Sequence, residues 1–482
     1  MSVPYPTNPY PRAHPDRLQA IAALYGVAAL PTEEAVVLEL GCGSGGQLIP
    51  MAQQLPKATF IGVDIDGEAI KAAQLMCAQL GIQNIQWHCA SIADWTAPKA
   101  DYIIAHGLYS WVPDELRPVI WRLVQGALKA NGVLFLSHIC LPGGSLRSMA
   151  RAVMLSAFEA DHSEQDNVRA GISALEAAVS LHGVESPLGG ALNTTLQSVK
   201  TQDWGYVWHD FWVPGYAAFS LEQLNEMAQA HGLQYLNDAD IRCNLPMGVP
   251  AWLVEKVQAT DRLVKSGALL DVYLGRSFRR GLWVHAEQRC SLKLEALDQM
   301  FLRAQFELAQ TAEGVLLTTE AGQQLGFRGD LAAELTQIML SEPEIAVSQI
   351  LGAHPEQTRQ WLFSLFAAGA ISLSQRKRLQ SMPKGQRLEG KQIVVNSFHE
   401  PVQLSFFDAA LLNALHSGHR GSNLVEALIQ SAQAGAFEVR VDGRLPEQPH
   451  EWQQVIQGVL PTRMTQLCQK GLWASPHIFE GA

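Results

Sequence analysis

Two groups of residues in this chain have types and spacing suited to chemistry. The first is a glycine run, "GCGSGG", which places Gly41, Gly43, Gly45 and Gly46 between the apolar stretch 36–40 and a helix-like stretch that opens at Gln47. Glycines between a strand and a helix let backbone N–H groups come close to a small ligand. The second is aromatic. His106, Tyr109 and Trp111 lie in "AHGLYSWVP", and Tyr206, Trp208, His209, Asp210 and Trp212 lie in "DWGYVWHDFWVP". Aromatic faces hold cationic groups by cation–π attraction, and the acid and the histidine offer places for a proton.

The glycine run fits two cofactors. Gly41-x-Gly43-x-x-Gly46 has the dinucleotide spacing. Gly41-x-Gly43-x-Gly45, with Glu39 two residues ahead, fits the acid-led loop of S-adenosylmethionine enzymes equally well. The acid favours the second. A carboxylate at the strand tip repels a pyrophosphate but suits the ammonium and sulfonium of S-adenosylmethionine. Asp64, at the end of "ATFIGVDI", is placed for two ribose hydroxyls, which both cofactors require. Ile65 offers adenine an apolar face, and Ser91 and the Ile92 backbone follow the next strand to meet its edge. Read alone, Asp64 is also a plausible helix N-cap. Cys42 is simply the small residue that such a loop needs.

For the aromatic group the reading stays divided. A lysine acceptor has an unperturbed pKa near 10.4, so on the order of one amine in a thousand is neutral at pH 7. An aromatic, desolvated pocket lowers that pKa, and a nearby acid, histidine or tyrosine can take the proton. Tyr109, His209 and Asp210 are the catalytic candidates, and Trp111, Trp208 and Trp212 the acceptor-binding ones. A strip such as "WHDFW" is as readily explained as core. Tyr10 and His14, in the proline-rich "NPYPRAHP", are candidates to close over the site or to form an inert arm.

The elements that must position these residues alternate through the first 140 positions. Apolar strand runs "AVVLEL", "ATFIGVDI", "IQWHCA", "ADYIIAHG" and "GVLFLSHI" are separated by helical runs, among them "GEAIKAAQLMCAQLG" and "ELRPVIWRLVQGALKANG". That pattern predicts an α/β fold with a parallel sheet covered on both faces. Residues 145–200 read as a helical insertion over the sheet. "GLQYLNDAD" and "LLDVYLGRSFRRGLWVH" read as two further strands, completing seven. Residues 1–288 form the core in this reading. Residues 289–378 read as a winged-helix-like middle domain, with "EIAVSQIL" among its helices, and 390–482 as a small α+β C-terminal domain. The basic "SLSQRKRLQSMPKGQRLEGKQ" serves as linker.

The bulk numbers set outer limits. With 482 residues the chain holds several domains. A hydrophobic share of 48% against 17% charged residues marks a globular protein. A net charge of −11 argues against a nucleic-acid partner. No apolar run is long enough to insert in a membrane, and the N-terminus lacks a signal-peptide core. Seven cysteines without CxxC pairing fit a reducing, cytoplasmic setting, and no metal-ligand spacing is present.

"LELGCGSGGQLIPMAQQLPKATFIGVDID" followed by "DYIIAHGLYSWVP" resembles the class I methyltransferases that carry a methyltransferase regulatory region. Its best-known members are rickettsial protein-lysine methyltransferases acting on an outer-membrane surface protein. The resemblance extends through the N-terminal "YPRAHPDRLQAIAALYG", the R-x-FR strand "LLDVYLGRSFRRGLWVH" and "NSFHEPVQLSFFDAALLNAL". It implies a Rossmann-like seven-stranded core and an S-adenosylmethionine cofactor on Gly41, Gly43, Gly45, Asp64, Ile65, Ser91, Ile92 and His106. Gln47 stands where relatives carry Asn. It also implies a lysine-bearing protein as acceptor. Relatives follow the fifth strand with Tyr-Asn-x-x-Pro-Gly-Trp; here "SHICLPGGS" puts His138, Ile139 and Gly144 at those places. That departure leaves a peptide or small-molecule acceptor open, as well as a cofactor-binding scaffold without turnover. Whether the chain forms a homodimer is also open.

Overall fold

The computed structural model describes residues 9–377, apart from 261, 312–313, 320–321, 329 and 343. Beyond these it describes 393–395, 401–403, 410–412, 414–415, 419, 421–433, 446 and 448–469. Most of the basic linker and part of "NSFHEPVQLSFFDAALLNAL" lie outside the described residues. The chain divides into two compact units, one running to Ala296 and one from Leu297, the second also taking in Pro9–Pro11.

The first unit is built on seven strands: β1 (Val36–Leu40), β2 (Thr59–Asp64), β3 (Ile85–Cys89), β4 (Ala100–Ala105), β5 (Leu128–Ile139), β6 (Leu233–Asp238) and β7 (Phe278–His285). Their order is β3-β2-β1-β4-β5-β7-β6, with β7 antiparallel to both neighbours and the other neighbouring pairs parallel. β4 is buried at every position, as a central parallel strand covered on both faces must be. The crossovers are α2 (Leu48–Gln54), α3 (Gly67–Leu80) and α4 (Arg117–Ala127), preceded by α1 (Pro15–Leu24). Of these, α3 has both ends defined: Asp66 caps it by accepting from the Glu68 and Ala69 amides, and Gly81 closes it in the left-handed region.

Between β5 and β6 come α5 (Gly144–Leu155), α6 (Glu164–His182), α7 (Pro187–Lys200), α8 (Trp204–Phe211) and α9 (Leu221–Gln229). The expected insertion is therefore helical, and it carries its own apolar core: Met154, Val168, Leu175, Leu196, Val207, Phe211 and Trp212. Between β6 and β7 lie α10 (Ala251–Gln258) and α11 (Leu263–Leu274).

Three expectations are corrected. "LLDVYLG" is the end of helix α11, closed by Gly275 with φ +59°, and the strand starts only at Phe278. Leu263, Gly267 and Leu270 recur at helical spacing there, which a strand reading of the same apolar residues overlooks. "ALKANG" is not helical to its end: α4 stops at Ala127, and β5 begins at Leu128 by pairing with Ala100. "EIAVSQIL" is a two-residue strand followed by a 3-10 turn, not a helix.

The second unit holds β8 (Phe301–Ala304), a meander of β9 (Phe306–Thr311), β10 (Gly314–Thr319) and β11 (Gln324–Arg328), then α12 (Asp330–Ser341). β12 (Ile345–Ala346), α13 (Pro355–Ala368) and β13 (Ile371–Ser374) follow, with β12 and β13 both pairing β8. Farther on are the hairpin β14 (Ile393–Val395) and β15 (Pro401–Gln403), and the helices α14 (Gly421–Gln433) and α15 (Pro449–Gln469). Leu424, Leu428, Ile456 and Leu460 share a core there.

One polar cluster joins the last two strands to the rest of the first unit. Arg279 is fully buried. Its Nε donates to Asp271 Oδ2 at 2.7 Å and its Nη2 to Asp271 Oδ1 at 2.9 Å. Its remaining donors reach Tyr235 Oη, Asn244 Oδ1 and the Gly267 carbonyl, each within 3.1 Å. A buried ion pair is tolerable only when its donors and acceptors are met in this way. Arg279→Met leaves Asp238 buried without its counter-charge and Asp271 with Arg276 alone, and is expected to cost about 3–5 kcal/mol in urea-induced unfolding. A loss below 1 kcal/mol would show that the pair is dispensable.

Candidate functional site

The parallel strands β1, β2, β3 and β4 all end at one edge of the sheet, and the glycine loop turns there. Gly41, Gly43 and Gly45 have φ of +72°, +52° and +78°. A side chain at Gly45 would also run into the Trp87 ring of β3, and one at Gly62 would meet both Trp87 and Cys42. The loop therefore needs glycine for its dihedrals and for close approach. Asp64 fixes its far side, accepting from the Gly43 amide at 2.8 Å and the Asp66 amide at 2.9 Å. Asp64 thus shapes the loop; the helix cap that a sequence reading would also allow it falls to Asp66.

Glu39 is 4% exposed, its Oε2 has no hydrogen-bond partner among the described residues, and the charge that acts on it is that of Asp64. Burial first, and Asp64 second, push its carboxyl well above the usual carboxylate range. Two carboxyl groups side by side, one of them buried, set up a demand for a cation. Gln47, also buried, has an unpartnered Nε2 close to the start of α2. Ile65 is 76% exposed beside Asp64, an apolar surface at the strand tip. Ser91 Oγ accepts from the Ala93 amide at 3.2 Å, and Ile92 is half-buried next to it.

His106 follows β4. Its Nδ1 lies 3.0 Å from Ser137 Oγ, which also accepts from the Gly107 amide. Burial, with Arg280 adding to it, brings the imidazole down to about 4, so it is neutral at pH 7. Ser137 needs an acceptor for its own proton, which favours the tautomer with Nε2–H. His138 points to the opposite face, where register pairs it with Arg279. It is fully buried with both ring nitrogens unpartnered, and burial with Arg279 lowers it to about 3. Of the substituted positions in "SHICLPGGS", His138 therefore lies in the core.

The catalytic and acceptor candidates separate. Tyr109 is fully buried, its hydroxyl bonded to Trp121 Nε1 and Met227 Sδ and its ring against Trp121 and Phe219. It is a core residue, packed in the cluster that holds Ile120, Trp121 and Phe219. Asp210 is buried and ion-paired to Arg147 of α5, so the pair fastens α8 rather than presenting a base. His209 is half-buried on α8. Trp208 and Trp212 stack at 5.6 Å with 9° between planes inside the insertion core, Trp212 against Gly171; they form packing, not a cage. His14 is also structural: it caps α1, its Nδ1 accepting from the Asp16 amide at 3.1 Å. Tyr10 belongs to the second unit.

Trp111, in the loop after β4, has a neighbour that sequence reasoning missed. Tyr216 stands at 6.5 Å and 79° to it, with its hydroxyl donating to the Gly144 carbonyl at 3.1 Å. Arg151 lies over Tyr216 and donates to the carbonyls of Phe211 and Val213. No local pattern marks Tyr216, because 72 residues separate it from Gly144 in sequence.

Three family models match the chain. One is described as a methyltransferase domain, over residues 31–199, and one as a predicted methyltransferase regulatory domain, over 203–285. The third is the C-terminal winged helix domain of PKMT, over 378–472. An uncharacterized protein of Rickettsia prowazekii is 26% identical, the match covering 98% of this chain and 92% of that protein. A second from the same organism is 30% identical over 43% of this chain and 85% of its own length. Among solved structures, PKMT2 from Rickettsia typhi in complex with AdoHcy has a TM-score of 0.83 at 20% identity, covering 98% of this chain and all of that one. The fold is shared over nearly the whole chain.

The strand-tip residues fit S-adenosylmethionine: a glycine loop of positive φ and a buried, unpartnered carboxyl facing a second one suit a cationic nucleoside better than a pyrophosphate. The raised Glu39 carboxyl gives a prediction with a definite sign. Its contribution to stability is full below the ordinary carboxylate pKa and is lost as pH rises, since the unfolded chain ionises first. Glu39→Gln is therefore expected to raise the melting temperature of the ligand-free protein at pH 7–8, with the gain vanishing toward pH 4. The same change is expected to weaken S-adenosylmethionine binding at least tenfold by calorimetry. A substitution that destabilises at pH 8 would contradict the burial argument.

Proposed function

The chain belongs to the class I S-adenosylmethionine-dependent methyltransferases that carry a methyltransferase regulatory domain, and from there we propose that it methylates lysine side chains of a protein. The observation that carries this reading is the match of residues 378–472 to a domain described for PKMT, on the same chain as the methyltransferase domain. The full-length likeness to PKMT2 from Rickettsia typhi agrees with it.

In this reading Glu39, the Gly41–Gly45 loop, Gln47 and Asp64 hold the cofactor, with Ile65, Ser91 and Ile92 along its adenine and His106 donating from Nε2. Bound there, the cofactor supplies a methyl group made electrophilic by a sulfonium. The chain's own task is alignment, which for a displacement reaction is the larger share of catalysis. It must also deliver a neutral amine. Arg151 bears on that requirement. Its described partners are two backbone carbonyls and an aromatic face, with no carboxylate among them. An uncompensated guanidinium near the acceptor lowers an amine's pKa, as burial does. The proton then leaves to solvent.

Arg151 also favours a second reading, in which the acceptor is a small molecule or peptide carrying an anionic group that the guanidinium attracts. One experiment separates the two. The purified protein is incubated with S-adenosylmethionine and soluble and membrane extracts of its own host, and proteins and small molecules are analysed by mass spectrometry. Steps of 14 Da on protein, mapped to lysine, are expected. Label found only in small molecules would overturn the lysine reading in favour of the second.

A further inference from the structure

Trp111 and Tyr216 are held relative to one another with unusual thoroughness for two half-buried aromatic rings. The residue before Trp111 and the residue after Tyr216 are joined, Ala217 N–H donating to the Ser110 carbonyl at 2.9 Å. The residue after Trp111 and the residue before Tyr216 are joined by one side chain, Arg117. Its Nη2 donates to the Val112 carbonyl at 2.8 Å and the Gly215 carbonyl at 2.5 Å. Its Nε reaches the Tyr109 carbonyl at 3.3 Å, and its guanidinium lies 5.2 Å from the Phe219 ring centre. Arg117 is buried. Gly215, at φ +97°, leaves no room for a side chain, since a Cβ would lie 2.8 Å from the Val112 backbone. Ser110 in turn accepts from the Ile139 amide at 2.8 Å, tying the arrangement to the end of β5.

The two segments are thus cross-linked on both sides of the rings, with the ring planes near perpendicular. Both segments are tied to the end of β5, Ser110 through the Ile139 amide and Tyr216 through the Gly144 carbonyl, and ligands of open α/β sheets lie beyond such strand ends. Arg151 covers Tyr216, whereas among the described residues Tyr216 is the one ring or cation against the Trp111 ring.

Resting on the lysine reading above, we propose that Trp111 and Tyr216 form a preformed corner that receives the amine-bearing end of the acceptor lysine, and that Arg117 is the positioning residue that sets it. Indole and phenol walls pack on the aliphatic stem and face the amine. Rigid walls spend no ordering entropy on binding, which is what a reaction limited by alignment requires.

The test uses the full chain labelled with 5-fluorotryptophan and saturated with S-adenosylhomocysteine. The 19F resonance lost in Trp111→Phe assigns Trp111. Nα-acetyl-lysine methylamide is expected to shift that resonance saturably, and the norleucine analogue, which has the stem but no amine, to shift it at least tenfold more weakly. Tyr216→Leu and Arg117→Lys are expected to weaken the lysine effect at least tenfold, with Tyr216→Phe close to wild type. Calorimetric affinity for S-adenosylhomocysteine should stay within twofold in all of them, which loss of fold would not allow. A Trp111 resonance that ignores the lysine probe, or answers both probes alike, overturns the corner, and this wild-type comparison decides even where a variant fails to fold. Lysine-mapped 14 Da steps with a silent Trp111 would leave the lysine reading intact and the corner refuted. A responsive Trp111 without protein methylation would do the reverse.

Discussion

The Arg279 guanidinium, buried in the last strand of the sheet to form in sequence, is the interaction on which the geometry of the first unit depends. Five of its hydrogen bonds reach back to β6, to α11 and to the 3-10 turn after β6. Arg276 adds a bond from its Nε to the same Asp271, at 2.7 Å. These contacts insert β7 antiparallel between β5 and β6, so the stretch from α8 to β7 becomes part of the sheet rather than an appendage. The 213–219 segment can then lie beside the end of β5, where the Phe219 N–H donates to the Ile139 carbonyl at 3.0 Å. A buried ion pair is seldom the cheapest way to fill a core. Here it specifies one register at the place where a slip would misplace the aromatic wall.

At the other side of the strand-tip crevice the governing constraint is electrostatic. Glu39 and Asp64 come from adjacent parallel strands, and Asp64 uses both its oxygens on backbone amides of the loops. Glu39 is left with an unpartnered oxygen in a buried place. A protein carries such a group at the expense of its own stability, and the group is relieved when a cation arrives. The two sides of the crevice are therefore organised differently. The cofactor side is a destabilised charge waiting for its complement, and the acceptor side is a set of rings locked by hydrogen bonds.

What could be read from the sequence follows the range of the forces involved. Strand and helix alternation, the glycine loop and Asp64 are local patterns, and the seven-stranded sheet has the form they predict. α11 hides in "LLDVYLGRSF" because Asp271 is the one charged residue before Gly275, and a run with so little contrast conceals its period until the glycine ends it. Site roles on the aromatic side were misread because burial is a non-local property. Tyr109 and Trp111 are two residues apart on one loop, yet one faces Trp121 and the core and the other faces Tyr216. Asp210 looked like a base until Arg147, 63 residues away, was placed beside it. Tyr216 and Arg117 carried no local mark, since their roles arise only when the two segments meet.

The same distinction explains why these residues were harder to find than the cofactor loop. A methyl donor that brings its own leaving group asks little acid–base work of the protein, so no constellation of nucleophile and base has to be written into a short motif. The demand falls on holding two molecules in line. Holding is distributed among carbonyls, a buried arginine and ring edges contributed by distant parts of the chain. Arg117 illustrates the point: its charge touches no ligand in this arrangement, but three of its hydrogen bonds end on the backbone that orients two aromatic walls. In an enzyme of this kind the residues that set the geometry are recognisable by what they fasten.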